Sequence, residues 1–178
     1  MSESVLQIVH RYSTRIRQKA IYFSPNIPTK KLMNALNAYA FGGQREGALV
    51  LVDNTVFGSA KDGGLLTPTM FYAHNMMEPP VSISLRDIES VAFTEGMTCR
   101  IHINGSNFLE TNGLDKYAMR IFADMLREIA GQFRGQPAAA PAEKSPAEAL
   151  KSLKELFDAG VLSEEEYNSK RAAYLAML

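Results

Sequence analysis

Cys99-Arg100-Ile101-His102-Ile103-Asn104-Gly105-Ser106-Asn107-Phe108-Leu109-Glu110-Thr111 holds two short β-like runs, Cys99 to Asn104 and Asn107 to Thr111, joined through Asn104-Gly105-Ser106-Asn107. An Asn-Gly pair tolerates the positive φ angles that a tight hairpin requires, so the two runs are read as antiparallel neighbours. Alternation on the first run puts Cys99, Ile101 and Ile103 on one face and Arg100 and His102 on the other. Cys99 is therefore expected as a small core residue, not as half of a metal or nucleophile site with His102.

Outward from this hairpin the same texture continues toward the N-terminus. Ala48 to Val52, Leu65 to Tyr72, Val81 to Leu85 and Ile88 to Thr94 read as further strands, separated by Asp62-Gly63-Gly64, Glu78-Pro79-Pro80 and Glu95-Gly96. Strands that follow one another through short turns pair antiparallel. Toward the C-terminus, Leu114, Tyr117, Ala118, Ile121, Phe122, Met125, Leu126, Ile129 and Phe133 recur at helical spacing, which predicts a helix from Leu114 to about Phe133 that caps the sheet. Two amphipathic helices are expected before the strands, one from Ser4 to about Ala20 and one from Thr29 to Ala40, split by Ser24-Pro25-Asn26-Ile27-Pro28. The fold class is α+β. The expected division is 1–46 for the N-terminal helices, 47–133 for the β domain with its capping helix, 134–144 for a Pro/Ala linker and 145–178 for a separate two-helix hairpin.

That hairpin has its punctuation written out. Ser145-Pro146-Ala147-Glu148 is a capping box with Pro at the first helical position, Gly160 suits the C-terminal stop, and Ser163-Glu164-Glu165-Glu166 opens a second helix. Leu150, Leu153, Leu156, Phe157, Val161, Leu162, Tyr167 and Tyr174 supply its apolar stripes. A unit of this size buries too little surface to stand alone, so it is expected to dock on something. The run Leu153-Lys154-Glu155-Leu156-Phe157-Asp158-Ala159-Gly160-Val161-Leu162-Ser163-Glu164-Glu165-Glu166-Tyr167 resembles the short C-terminal domain called SHOCT. That resemblance implies a bacterial protein with an oligomerisation or recruitment role and supplies no catalytic residues. Several antiparallel strands closed by one long helix over 47–133 resemble the pleckstrin-homology-like (PH-like) barrel or curved sheet. The residues that carry this are Gly47-Ala48-Leu49-Val50-Leu51-Val52, Val81-Ser82-Ile83-Ser84-Leu85-Arg86-Asp87-Ile88 and the helix from Leu114.

Composition narrows function. Of 178 residues 46% are hydrophobic, enough for a packed core, and nineteen basic residues balance nineteen acidic ones, so no global field draws the chain to nucleic acid or anionic lipid. One cysteine excludes an intramolecular disulfide, and no segment has the length of a signal peptide or membrane span, so a cytoplasmic protein is expected. His10, His74 and His102 complete no ligand pattern, and neither glycine-rich segment has the spacing of a phosphate-binding loop. Asp53, Asp62 and Asp87 read as turn residues and no carboxylates pair, so no catalytic residue, cofactor or metal is expected.

Two features point to surfaces. Arg11, Arg15 and Lys19 form a basic stripe on the first helix, and Lys61 lies in a glycine-rich loop, so these four are the candidate contacts for an anion or membrane. Met76 and Met77 lie in a loop where adaptable side chains suit a partner. The favoured expectation is a protein-binding, self-associating scaffold. A membrane- or lipid-associated module and a nucleic-acid accessory protein are the rivals.

Overall fold

The Ser4 hydroxyl accepts a hydrogen bond from the Gln7 N–H, the Gln7 side-chain oxygen accepts one from the Ser4 N–H, and this capping box starts helix α1 (Val5–Ser13). The computed structural model describes residues 3–134. Helix α1 is followed by β1 (Ile21–Phe23), α2 (Thr29–Ala38), β2 (Val50–Asp53), β3 (Gly63–Leu66), β4 (Met70–His74) and β5 (Val81–Ser84). Then come β6 (Val91–Thr94), β7 (Thr98–Ile103), β8 (Ser106–Asn112) and α3 (Lys116–Phe133), the last capped by the Asp115 carboxylate on Tyr117 and Ala118 N–H.

Strands β1 to β5 form one antiparallel sheet in sequence order, and β6 to β8 form a second. The two sheets do not close into a barrel, so of the expected barrel or curved sheet only the coarser description holds: antiparallel sheets with a helix after them. The expected β7–β8 hairpin is present, with Asn104 at φ 52° and Gly105 at φ 82° across the turn. Cys99, Ile101 and Ile103 are buried on one face of β7, while Arg100 and His102 are partly exposed on the other.

Sheet residues Val50, Val52, Leu66 and Phe71 face the main core with Ile101, Leu109 and the α3 side chains Met119, Phe122, Met125 and Ile129. The Phe71 ring stacks on Phe108 at 5.2 Å and meets Phe122 edge-on at 5.9 Å. Leu51, Leu65 and Tyr72 face the other way, where α2 covers them with Leu36 and Tyr39. Strand β2 is thus buried on both faces, which is why Val50-Leu51-Val52 is continuously apolar and not alternating.

Three expectations change. The first helix stops at Ser13 and not near Ala20, and Ile21–Phe23, between the two expected helices and read as no element, pairs with β2. Arg11, Arg15 and Lys19 consequently do not make one helical stripe, because Arg15 and Lys19 lie beyond the helix end. The run Leu65 to Tyr72 is two strands. Thr67 N–H donates to the Met70 carbonyl at 2.9 Å and the Thr67 hydroxyl accepts from Met70 N–H at 2.9 Å, closing a turn around Pro68 that holds neither Gly nor Asn. The hairpin over 145–178 and its association residues Leu150, Leu153, Leu156, Phe157, Val161, Leu162, Tyr167 and Tyr174 lie outside the described residues, as does the linker after Arg134.

Candidate functional site

Register fixes which loops share an end of the molecule. Asp53 pairs with Gly63 and Gly63 with His74, so the β2–β3 loop and the β4–β5 loop leave the first sheet at the same end. Asn54 Nδ2 donates to the Glu110 carbonyl at 3.0 Å, and Asn54 Oδ1 accepts from Asn112 N–H at 3.0 Å. Asn75 Oδ1 accepts from Glu110 N–H at 2.8 Å. Both loops are therefore stitched to β8. Thr98 pairs with Asn112, which brings the β6–β7 turn to this end, and Glu95 in that turn pairs with Arg120 on α3.

Apolar side chains stand out from this end. Val56, Phe57, Met76, Met77, Met97 and Tyr117 are all exposed, Phe57 to 96% and Met77 to 98%. Scattered exposed apolar residues are ordinary, whereas large ones on adjoining loops form the kind of patch that interaction surfaces use. Both methionines of the expected partner loop are outside, so neither is spent on the core.

The β2–β3 loop is wound around Asp53, whose side chain is 2% exposed. Its Oδ1 accepts from Thr55 N–H at 3.0 Å, from the Thr55 hydroxyl at 2.5 Å and from Ala60 N–H at 3.1 Å. Its Oδ2 pairs with Lys31, which also donates to the Gly58 carbonyl and lies over the Tyr22 ring. Burial pushes the Asp53 carboxyl up, but the hydrogen bonds from Lys31 and Thr55 outweigh it and hold the group below its ordinary value. The turn role expected for Asp53 is present in its bond from Thr55 N–H. Asp53 is also the post that fixes the loop presenting Val56 and Phe57, and the signal missed was that a carboxylate closing a fully apolar strand must carry its partners inward.

Lys61 is exposed in the same loop. Its carbonyl lies 2.9 Å from His74 Nδ1, and Asp62 Oδ1 lies 2.8 Å from the same nitrogen; both neighbours accept, which assigns the proton to Nδ1. Arg11 is held by Glu3 and by Glu128, whose other oxygen accepts the Tyr12 hydroxyl at 2.8 Å. Arg15 lies 5.0 Å from the Tyr12 ring centre, and Lys19 is exposed. The structure brings Arg11 and Arg15 together around Tyr12 but does not make one patch with Lys61, which belongs to the loop end.

A second apolar region lies beside β5. A cavity of about 440 Å³ is lined by Phe41, Tyr72, Pro80, Val81 and Ser82, with Phe41 69% exposed. Among the described residues no group of three or more His, Cys, Asp or Glu side chains could hold a metal ion, and no helix is long and apolar enough to cross a membrane.

Residues 148–175 match SHOCT, the short C-terminal domain. The match falls on the segment expected from sequence to be a helical hairpin, outside the described residues, and leaves residues 3–134 to be understood from their own geometry. Comparison with curated proteins and with solved structures gave no match.

Proposed function

We propose that this is a non-enzymatic, cytoplasmic protein-binding and oligomerisation protein, in which a PH-like domain binds a protein partner and the SHOCT segment drives assembly or recruitment. The observation that carries this reading is the end of the domain where Val56, Phe57, Met76, Met77 and Met97 project from loops held in place by Asp53, Asn54 and Asn75. Such a surface is preorganised, so a partner that covers it does not first have to order the loops. The most deeply buried carboxylate, Asp53, is fully committed to Lys31, Thr55 and Ala60, which supports a structural role over acid or base chemistry.

The SHOCT segment acts, in this reading, by burying the stripe that includes Leu156 and Phe157, each worth roughly 1.5–3 kcal/mol when covered. Light-scattering mass of the full chain across a concentration series tests it. The wild-type chain should be a multimer that Leu156→Asp with Phe157→Asp reduces in mass; unchanged assembly in that double variant overturns the role given to the tail.

One observation favours a second reading. Val56 and Phe57 lie in the same loop as exposed Lys61, an apolar tip with a cation beside it that suits a lipid headgroup boundary. Here the loop, and not α1, is the membrane contact. Co-sedimentation with anionic vesicles that is lost on Phe57→Ser would support this reading over a protein partner. For nucleic acid the support is weaker, since Arg11 already serves Glu3 and Glu128.

A further inference from the structure

The geometry points to a second copy of this chain pairing antiparallel along the outer edge of β5, so that two five-stranded sheets become one. This inference rests on the assembly reading above and names a surface for it within residues 3–134.

Hydrogen-bond phase shows what that edge offers. Leu85 N–H donates to the Thr69 carbonyl at 2.8 Å, and Met70 pairs with Ser84, so Thr69 and Leu85 are a hydrogen-bonded pair. Antiparallel ladders alternate, which makes Phe71–Ile83 and Ala73–Val81 the next bonded pairs. Thr67 N–H donating to the Met70 carbonyl fixes the same phase from the β3 side. The N–H and C=O of Ser82 and Ser84 therefore point away from β4.

The other edges are each covered in part. Glu110 and Asn112 of β8 are bonded by the side chains of Asn54 and Asn75, the Val91 carbonyl of β6 accepts from Arg127 Nε and Nη2 at 3.2 Å each, and on β1 the Ile21 N–H donates to the Gln18 carbonyl while the Phe23 carbonyl accepts from Asn26 N–H. At β5, among the described residues, no such cover is present. Within the strand itself Val81-Ser82-Ile83-Ser84 carries neither charge nor proline, two of the usual defences of an edge strand. Pro79 and Pro80 stop the strand at one end and the turn Leu85–Asp87 at the other, which leaves a short edge suited to one strand of equal length.

The strand is complementary to itself. With the two-fold axis at Ile83, Ser82 of one copy bonds Ser84 of the other and Ile83 meets Ile83, so apolar faces apolar on the core side and hydroxyl faces hydroxyl on the outer side. The exposed Phe41 and Val81, which line the cavity beside this edge, are the apolar side chains that the second copy covers. A two-fold pairing of identical edges closes on itself and yields a dimer, not a fibre.

The full chain carrying Ile83→Cys provides the test. Directly opposite residues at a non-bonded antiparallel position have Cα atoms about 4.5 Å apart, within reach of a disulfide. Mild oxidation should give a covalent dimer on a non-reducing gel, absent from the wild type because Cys99 is buried. Adding Ser82→Lys should abolish the cross-link and weaken solution dimerisation roughly tenfold or more. Ser82→Pro should act likewise and keep the native circular dichroism, since Ser82 N–H bonds nothing within the sheet. If the wild-type chain is a multimer and Ile83→Cys does not cross-link, the β5 interface is wrong and the assembly reading stands. If the wild-type chain is monomeric at every concentration and Ile83→Cys does not cross-link, both fall.

Discussion

Gly63 shows how little freedom one position of this fold has. Its φ of +134° is open only to glycine, and a Cβ there would lie 1.9 Å from the Val52 carbonyl oxygen on the paired strand. Gly63→Ala should destabilise the domain by roughly 2–4 kcal/mol in denaturant unfolding, through backbone that cannot give way. Asp53 fixes the other end of the same loop. Its folded carboxyl lies below the ordinary 3.8, so the stability it supplies is complete above that value and is lost as pH falls through the lowered one. Asp53→Asn should flatten that part of the acid limb of a stability–pH profile and cost about 3 kcal/mol at neutral pH, because Lys31 is left without its carboxylate. The glycine was legible as a turn residue. The carboxylate was legible only in part, because Thr55 is a local turn partner but Lys31, 22 residues earlier, and the Ala60 N–H are brought to it only by the folded loop.

Among the elements, those with local signals were legible and those made by partners were not. The β7–β8 hairpin follows from Asn104-Gly105, and α3 from its apolar stripe and the Asp115 cap. Strand β1 has three residues and no alternation long enough to see; it exists because β2 offers it an edge. Helix α1 ends early for a related reason, since Arg15 and Ile16 N–H both bond to the Tyr12 carbonyl and turn the chain toward that edge. Helix α1 is nonetheless held at both ends of its length, by the Ser4 cap and by Tyr12 and Arg11 on Glu128 of α3. Ser4→Ala should cost about 1 kcal/mol in thermal or denaturant unfolding, and an equal stability in the variant would show that packing on α3 alone sets the helix start.

On the scale of the whole molecule, the loop end was half legible. Met76 and Met77 were legible as a loop pair open either to solvent or to burial of one of them, and both are exposed; Val56, Phe57 and Met97 join them only because strand register brings three loops to one end. The pairing of the basic residues was hidden for a similar reason, since charge counted along a sequence does not show that Glu128, 117 residues after Arg11, binds it. The two sheets meet where Asn54 and Asn75 reach across to β8, so that seam is held by side-chain amides and not by a backbone ladder. Amides can swing on their own rotamers, whereas a ladder opens only with its strand. In hydrogen exchange the Glu110 and Asn112 N–H should therefore lose protection ahead of the β7-paired positions of the same strand, and Asn54→Ala should speed Asn112 while leaving Leu109 unchanged. Two sheets joined in this way should part first along that one line, like a book opening at its spine.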